Sequence, residues 1–486
     1  MIRLKEIIKN INYRRLCDFA DCDIHGVCAD SRKVGSGYLF VALKGRHYDG
    51  HNFAEAALVS GAKALVLERD LALKEKVNRI LVNDSRLALA LIAANFFGHP
   101  AKKLKLTGIT GTNGKTTTSY LIEKILQASN RPSAVAGTVN YRIGKMIQPA
   151  VNTTPQAERL QSFLQQAVEL GSEYAIIEVS SHALDQGRIA GLDFAQAVFT
   201  NLSAEHLDYH GDIDSYFACK SRLFKGLNAS SWAIINKDDP YGKRLIKLTP
   251  AKVLTYGLSE DAAVRAGDIS LKPDGIKAAI STPAGTIEIE SRLLGRHNVY
   301  NILAASAWAF AQGIALPAIA AGIKDCGCVC GRLERVDCGQ DFFVFIDYAH
   351  TDDALRNILT ALRQISKRKI ILVFGCGGDR DRSKRSRMGR IASELADIVI
   401  ITTDNPRSED PGQINAEILQ GLSRHRQNCR VVIDRSLAIE QALGLAKSKD
   451  IVVIAGKGHE SRQIFADKIV PFSDRRAVEK ALRCLV

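Results

Sequence analysis

"LTGITGTNGKTTTSYLIEKIL", residues 106–126, decides the fold. An apolar run enters a glycine-rich turn and leaves it as a segment with Leu121, Ile122, Ile125 and Leu126 on one helical face. That order is strand, phosphate-binding loop, helix. The usual loop carries a glycine, four intervening residues and then Gly-Lys-Ser/Thr, and here the place of that first glycine is Ile109; the glycines fall at Gly108, Gly111 and Gly114. The shift alters how the chain approaches the loop and leaves its phosphate-facing end intact. Gly111 and Gly114 let backbone N–H groups converge on phosphate oxygens. Lys115 would reach the β/γ-phosphates, and the Thr116 hydroxyl would bind Mg2+.

After the loop, residues 174–180, 195–202 and 231–239 read as further strands separated by helices, as a mostly parallel sheet requires. Before it, residues 1–100 carry short apolar runs (37–43 and 62–68) between Gly and Asp turns, a small α/β unit, and residues 96–105 read as a linker. "CGCVCGRLERVD", residues 326–337, has no period and marks the next boundary. Beyond it lie strands at 342–350, 369–378, 396–407, 429–435 and 450–460. Four of these five run into polar, glycine-rich or charged residues, where open parallel sheets bind ligands. The expected architecture is α/β with three domains: a small N-terminal α/β domain (1–100), a central P-loop mononucleotide-binding domain (101–331) and a C-terminal Rossmann-like domain (332–486).

A chain of 486 residues, 46% hydrophobic and 24% charged, is too long for one core and has the make-up of a soluble globular protein. No apolar run approaches the length of a membrane span, and the first residues lack an apolar signal region, so a cytoplasmic protein is expected. The spacing of Cys326, Cys328 and Cys330, with Cys338 nearby, is not that of a zinc site; reduced thiols are expected. A net charge of +14 fits nucleic acid or a small polyanionic substrate, but no basic tail or patch is visible.

Glu178 ends a strand in "IIEVSSH" and is placed to be a second Mg2+ ligand. His206, Asp208 and His210 follow the next strand; a histidine there either ligates metal or packs. Lys220 lies amid apolar residues, where an ammonium is costly unless neutralised or modified.

"TGTNGKTTT", "NTTP", "EVSSHALDQGR", "HLDYHG", "GRHNVYNILAA", "GRLE", "DYAHT", "GCGGDRD", "DNPR" and "GKGHE" occur in one order across nearly the whole chain. On these motifs the sequence resembles the Mur ligases of bacterial peptidoglycan synthesis, whose own loop reads TGTNGKT. The stretch at 29–51 resembles the family's UDP-binding domain, although "GRHYDGH" matches only approximately. The resemblance implies an ATP-dependent ligase that joins meso-2,6-diaminopimelate to UDP-N-acetylmuramoyl-L-alanyl-D-glutamate through an acyl phosphate. It further implies Mg2+, a cytoplasmic monomer, and no nucleic-acid or membrane partner.

Residue by residue, the resemblance implies an ATP loop of Gly111, Thr112, Asn113, Gly114, Lys115, Thr116 and Thr117, completed by Asn298, Asn301, Arg332 and His350, with Asp347 beside them. Thr116, Glu178, His206 and a carbamylated Lys220 would hold metal; Lys115, Lys220, His206, Asp347 and Arg332 would carry the chemistry. Ala29, Ser31, Arg46, His47, Tyr48, Asn152, Thr153, Thr154, Ser180, Gln186 and Arg188 would bind the UDP-sugar-peptide. Arg380, Asp404, Asn405, Pro406, Arg407, Gly456 and Glu460 would bind the amino acid. Two departures stand out. Asp352 replaces a usual proline, which predicts a looser loop after His350, and Ser386 stands where the family has proline.

Three alternatives stay open on the sequence. One is an L-lysine-adding ligase of the same family. Another is a folate-polyglutamate ligase of the same fold, against which "DNPR" and "GKGHE" argue. The third is a P-loop ATPase stimulated by nucleic acid, for which no basic patch or stacking platform is evident.

Overall fold

The computed structural model describes residues 1–45, 48–422 and 428–485. Three sheets organise the chain. The first has five strands in the order Tyr13–Cys17, Asn78–Val82, Ala62–Leu67, Tyr38–Val41, Gly26–Cys28, parallel except for the first pair. Helix Ser85–Phe96 covers it, its first turn capped by Asp84.

The second sheet has eleven strands. At its centre the loop strand Lys105–Thr110 pairs in parallel with Tyr174–Glu178 on one side and Phe194–Phe199 on the other. This pairing brings the ends of three strands, far apart in sequence, around one loop. Helix Lys115–Ala128 packs on the sheet through Leu121, Ile122, Ile125 and Leu126, all fully buried. At about 1.5–3 kcal/mol per buried side chain, that face holds the helix in place. Helix Arg296–Ala311 lies against it, and Trp308 donates its indole N–H to Thr107 Oγ1 at 2.9 Å from the core. Both margins of the sheet are antiparallel hairpins, Asn140–Ile143 with Met146–Pro149 and Gly275–Thr282 with Gly285–Ser291. The sequence reading of a mostly parallel sheet holds for its centre and misses these margins.

The third sheet has six strands in the order Glu334–Val336, Phe343–Asp347, Ile451–Ala455, Ile370–Phe374, Ile398–Ile401, Cys429–Val431, antiparallel only at the first pair. Its four middle strands are parallel, so their carboxyl ends form one edge. The expectation of a loose segment after His350 is not met. Helix Asp352–Ile365 begins at Asp352 itself, with Thr351 capping Ala354 N at 3.2 Å and Asp352 Oδ2 held by Arg387 Nε at 2.7 Å. A carboxylate in a first helical turn is favoured by the helix dipole and needs no proline to set it.

Candidate active site

Two glycines shape the loop. A Cβ on Gly111 (φ +148°) would lie 1.9 Å from Thr200 Oγ1, and one on Gly114 (φ +87°) 2.3 Å from Asn301 Oδ1. Glycine alone fits both positions. Gly114 opens helix Lys115–Ala128 without a side-chain cap, which leaves first-turn N–H groups to an anion. Thr200 Oγ1 donates to Asn113 O at 2.6 Å, and Asn113 N donates to Asn201 Oδ1 at 2.9 Å, so the loop is fixed from the neighbouring strand end. Lys115 Nζ lies across the loop and donates to Gly111 O and Thr112 O, both at 2.8 Å. Lost solvation pushes its ammonium below the ordinary lysine value, with Glu205 and Glu178 opposing.

Thr116 Oγ1 donates to Glu178 Oε2 at 3.0 Å, and Thr138 donates to the same carboxylate through its hydroxyl (2.7 Å) and its N–H (3.1 Å). Gly137 makes room, since a Cβ there would meet Glu178 Oε1 at 2.2 Å. Among the described residues no three His, Cys, Asp or Glu side chains form a metal cage. A hard cation that keeps waters and phosphate oxygens needs only one or two protein oxygens, and Thr116 with Glu178 supplies them beside the phosphate cradle.

Lys220, on helix Ile213–Lys225, is 1% exposed. Its Nζ donates to Gly111 O at 2.9 Å and lies 4.5 Å from the Tyr216 ring centroid. Burial first and Lys115 second push its pKa well below the ordinary lysine value, with Glu205 opposing. His206 adopts a left-handed backbone (φ 57°), and its ring lies 4.9 Å from that of His182. Burial and the neighbouring His206 and His210 press His182 down to about 4.

Glu205 was not singled out from sequence. Its Oε1 lies 3.8 Å from His206 Nε2 and 3.7 Å from His350 Nε2, so it joins the central unit to the C-terminal one. Burial raises its carboxyl, but His206, His350, Lys115 and Lys220 outweigh that and hold it below its usual value. The only signal for it was an acidic residue next to His206 in "SAEHLDYHG".

The C-terminal sheet turns its carboxyl edge toward the loop. Arg332 reaches Thr116 Oγ1 at 3.4 Å and stacks over Tyr348 at 4.8 Å. Asp347 is buried and accepts from Leu333 N (2.6 Å) and Ala349 N (2.7 Å); burial raises its pKa, with Arg332 opposing. Asn301 Nδ2 donates to Asn298 Oδ1 at 2.8 Å. Asp353, also unpredicted, accepts from Asn113 Nδ2 (2.8 Å) and Ser203 Oγ (3.0 Å) and ties the two units together. A cleft of ≈ 740 Å³ lies between them, lined by Asn113 to Thr117, Asn298, Asn301, Arg332, Asp347 and His350.

Arg380, Arg407 and Glu460 follow three adjacent strands of this edge. A Cβ on Gly377 would sit 2.9 Å from Arg407 Nη1 and 4.0 Å from Arg380 Cγ, so the two arginines flank that glycine. Burial, then Arg380, lower the pKa of Arg407. Its Nη1 donates to Gly378 O at 2.6 Å. Alongside, Asn405 Nδ2 donates to Glu460 Oε2 (2.8 Å), and the fully buried Lys457, unpredicted, donates to both Asn405 Oδ1 (2.9 Å) and Glu460 Oε2 (2.8 Å). Gly456 (φ +111°) clears Asp404, whose Oδ2 would lie 2.6 Å from a Cβ there, and Pro406 O packs on Gly378.

The residues expected to hold a sugar-peptide fall into two sets. Thr154 Oγ1 donates to Glu178 O (2.7 Å), Thr153 meets Thr138 (3.2 Å), Arg188 donates to Thr154 O (2.8 Å) and to Gln186 Oε1 (2.7 Å), and Ser180 caps helix Ser181–Asp185. Asn152 N donates to Tyr141 OH at 3.3 Å. Ala29, Ser31 and the exposed Tyr48 lie on the N-terminal unit, and Arg46 and His47 lie outside the described residues.

A phosphate cradle facing charged pockets on the edge of a second parallel sheet is the arrangement of an enzyme that brings a nucleotide's phosphates to a second substrate, here built from three α/β units. Family models for the Mur ligase family catalytic domain, the Mur ligase middle domain and the Mur ligase glutamate ligase domain match residues 23–97, 109–309 and 331–458. The chain belongs to the Mur ligase family. It is 45% identical over 467 residues, 95% of each chain, to the UDP-N-acetylmuramoyl-L-alanyl-D-glutamate--2,6-diaminopimelate ligase of Geobacillus kaustophilus. It is 41% identical, over 99% of each chain, to the enzyme of that name from Syntrophomonas wolfei. A solved structure bearing the same name aligns over 100% of this chain and 99% of its own, with a TM-score of 0.69 and 34% identity. A Thermotoga maritima MurF ligase solved with ADP shares the fold at a TM-score of 0.66 and 20% identity.

Proposed function

We propose that this chain adds meso-2,6-diaminopimelate to UDP-N-acetylmuramoyl-L-alanyl-D-glutamate, with ATP converted to ADP and phosphate, as a cytoplasmic monomer. The observation that carries the reading is the two-signed pocket on the C-terminal edge: Arg380 and Arg407 beside Gly377, with Glu460 and Asn405 next to them. The far end of meso-diaminopimelate bears both a carboxylate and an ammonium. Arginine forks bind a carboxylate through paired charge-assisted hydrogen bonds, and Glu460 can take the ammonium.

A carboxylate resists attack by an amine because oxide is a poor leaving group. Transfer of the γ-phosphoryl group to the D-glutamate carboxylate supplies a good one. Lys115 and the first-turn N–H groups of its helix neutralise the transferring group, and Arg332 adds charge from the opposite wall. Thr116 and Glu178, with His206 and carbamylated Lys220 on the far side of the loop, would hold Mg2+, which when bound offsets phosphate charge. Lys220 suits carbamylation because burial lowers the pKa of its amine, and the carbamate would turn a repelling cation into an anionic oxygen ligand. Bringing the two units together around the substrates positions the reacting groups and keeps water from the acyl phosphate.

Arg407 tests the reading. With L-lysine bound, its guanidinium would face no carboxylate. An uncompensated buried charge costs about 3–5 kcal/mol, a discrimination of about a hundredfold or more. Arg407→Ala is expected to abolish the preference for meso-diaminopimelate, chiefly through KM, while ATP affinity stays within about threefold. An unchanged preference in that variant would contradict the pocket assignment.

A further inference from the structure

His459 stands one residue before Glu460 and two after Lys457, yet its ring leaves their hydrogen-bond network. The turn that carries it is clamped between two close approaches. A Cβ on Gly331 would meet His459 N at 2.5 Å, and one on Gly458 (φ +53°) would meet Tyr348 Cβ at 2.8 Å. The imidazole therefore packs against Tyr348, ring centroids 5.0 Å apart, on the seam between the amino-acid pocket and the nucleotide cleft. Within reach of the ring is also the main chain of Thr138, whose hydroxyl and N–H hold Glu178. Its Nδ1 is buried and, among the described residues, has no partner within hydrogen-bond geometry, although the Thr138 main chain lies near the ring and the polar groups around it are paired.

A buried, unpaired ring nitrogen between two substrate sites is a group waiting for a ligand atom. We propose that His459 is a catalytic residue of the amide-forming half-reaction, accepting the proton that the attacking amine must lose. The inference rests on the ligase reading above. The amine lone pair forms the C–N bond to the γ-carbonyl carbon while the C=O pair moves to oxygen. The adduct's N–H proton passes to the imidazole. The carbonyl re-forms, and the C–O bond to phosphate breaks with its electron pair on phosphate, which then takes up the proton from the imidazolium. Burial and Arg332 press His459 down to about 4, with Glu460 and the Thr138 main chain opposing and His350 adding to the lowering; the ring is neutral at neutral pH and has a lone pair to offer.

The test uses His459→Ala and His459→Gln in the full chain with UDP-N-acetylmuramoyl-L-alanyl-D-glutamate and ATP. Hydroxylamine, a nucleophile that is neutral near pH 7, traps the acyl phosphate as a hydroxamate without needing the base. Hydroxamate formation within about threefold of wild type is expected, with kcat for meso-diaminopimelate about a hundredfold lower and KM little changed. Added imidazoles should restore kcat in His459→Ala in proportion to their base strength, which a packing role would not produce. A ligation kcat within about tenfold of wild type in both variants, or hydroxamate formation falling in step with ligation in both, would overturn the proposal. Failure of the wild type to form any hydroxamate would overturn the ligase reading itself, and this inference with it.

Discussion

Lys220→Ala is expected to be inactive in ligation and partly restored by formate, acetate or propionate. The side chain is buried and, among the described residues, holds no carboxylate partner and donates only to Gly111 O beneath the phosphate loop. As an ammonium it would repel a divalent cation and would itself stand unneutralised in a buried place. As a carbamate it supplies an anionic oxygen at the point where phosphoryl charge must be offset, an effect worth several kcal/mol, or about a thousandfold in kcat. Removing the side chain leaves a gap that a short carboxylate can fill, so rates should rise with its concentration. Lys220→Arg keeps the positive charge and cannot be carbamylated; it should be as inactive as the alanine variant. Activity in Lys220→Arg, or absence of rescue in a folded Lys220→Ala, would exclude the carbamate.

Lys115→Ala should lower ATP turnover and ligation together by about a thousandfold with the fold intact. Among the described residues, Lys115 contributes to the loop two hydrogen bonds to carbonyls, at Gly111 and Thr112, and it is not part of the apolar face that anchors its helix. Its loss should therefore cost phosphate neutralisation and little stability. Thermal unfolding and circular dichroism run beside the assay separate the two. Turnover within about tenfold of wild type would place the ATP site elsewhere.

The parts of this site that could be read from sequence are those where one segment carries the chemistry. Residues 106–126 present strand, loop and helix in order, and the fully buried Leu121, Ile122, Ile125 and Leu126 are the face their spacing predicts. Glu178 and Arg407 could be placed because the first ends a strand and the second follows one, and strand ends in a parallel sheet share an edge. What stayed hidden needs two segments at once. Thr138 matters only because the strand Ser133–Ala136 pairs beside Tyr174–Glu178, which puts its hydroxyl on Glu178. Asp353 is an ordinary first-turn carboxylate until it meets Asn113, 240 residues away. Glu205 becomes notable only with His350 across the seam. The hairpins at the margins of the central sheet carry no ligand motif, and Asp352 misled because the absence of proline says nothing about the Thr351 cap that starts the helix.

The measurement that bears most directly on the ligase reading is kcat/KM of the wild-type protein for meso-2,6-diaminopimelate and for L-lysine, with UDP-N-acetylmuramoyl-L-alanyl-D-glutamate and ATP saturating and the product identified by mass. Arg380 and Arg407 beside Gly377 predict a preference for meso-diaminopimelate of about a hundredfold or more, with ADP release dependent on all three substrates. Comparable kcat/KM for the two amino acids, or ATP hydrolysis that needs neither the UDP-sugar-peptide nor an amine, would contradict it.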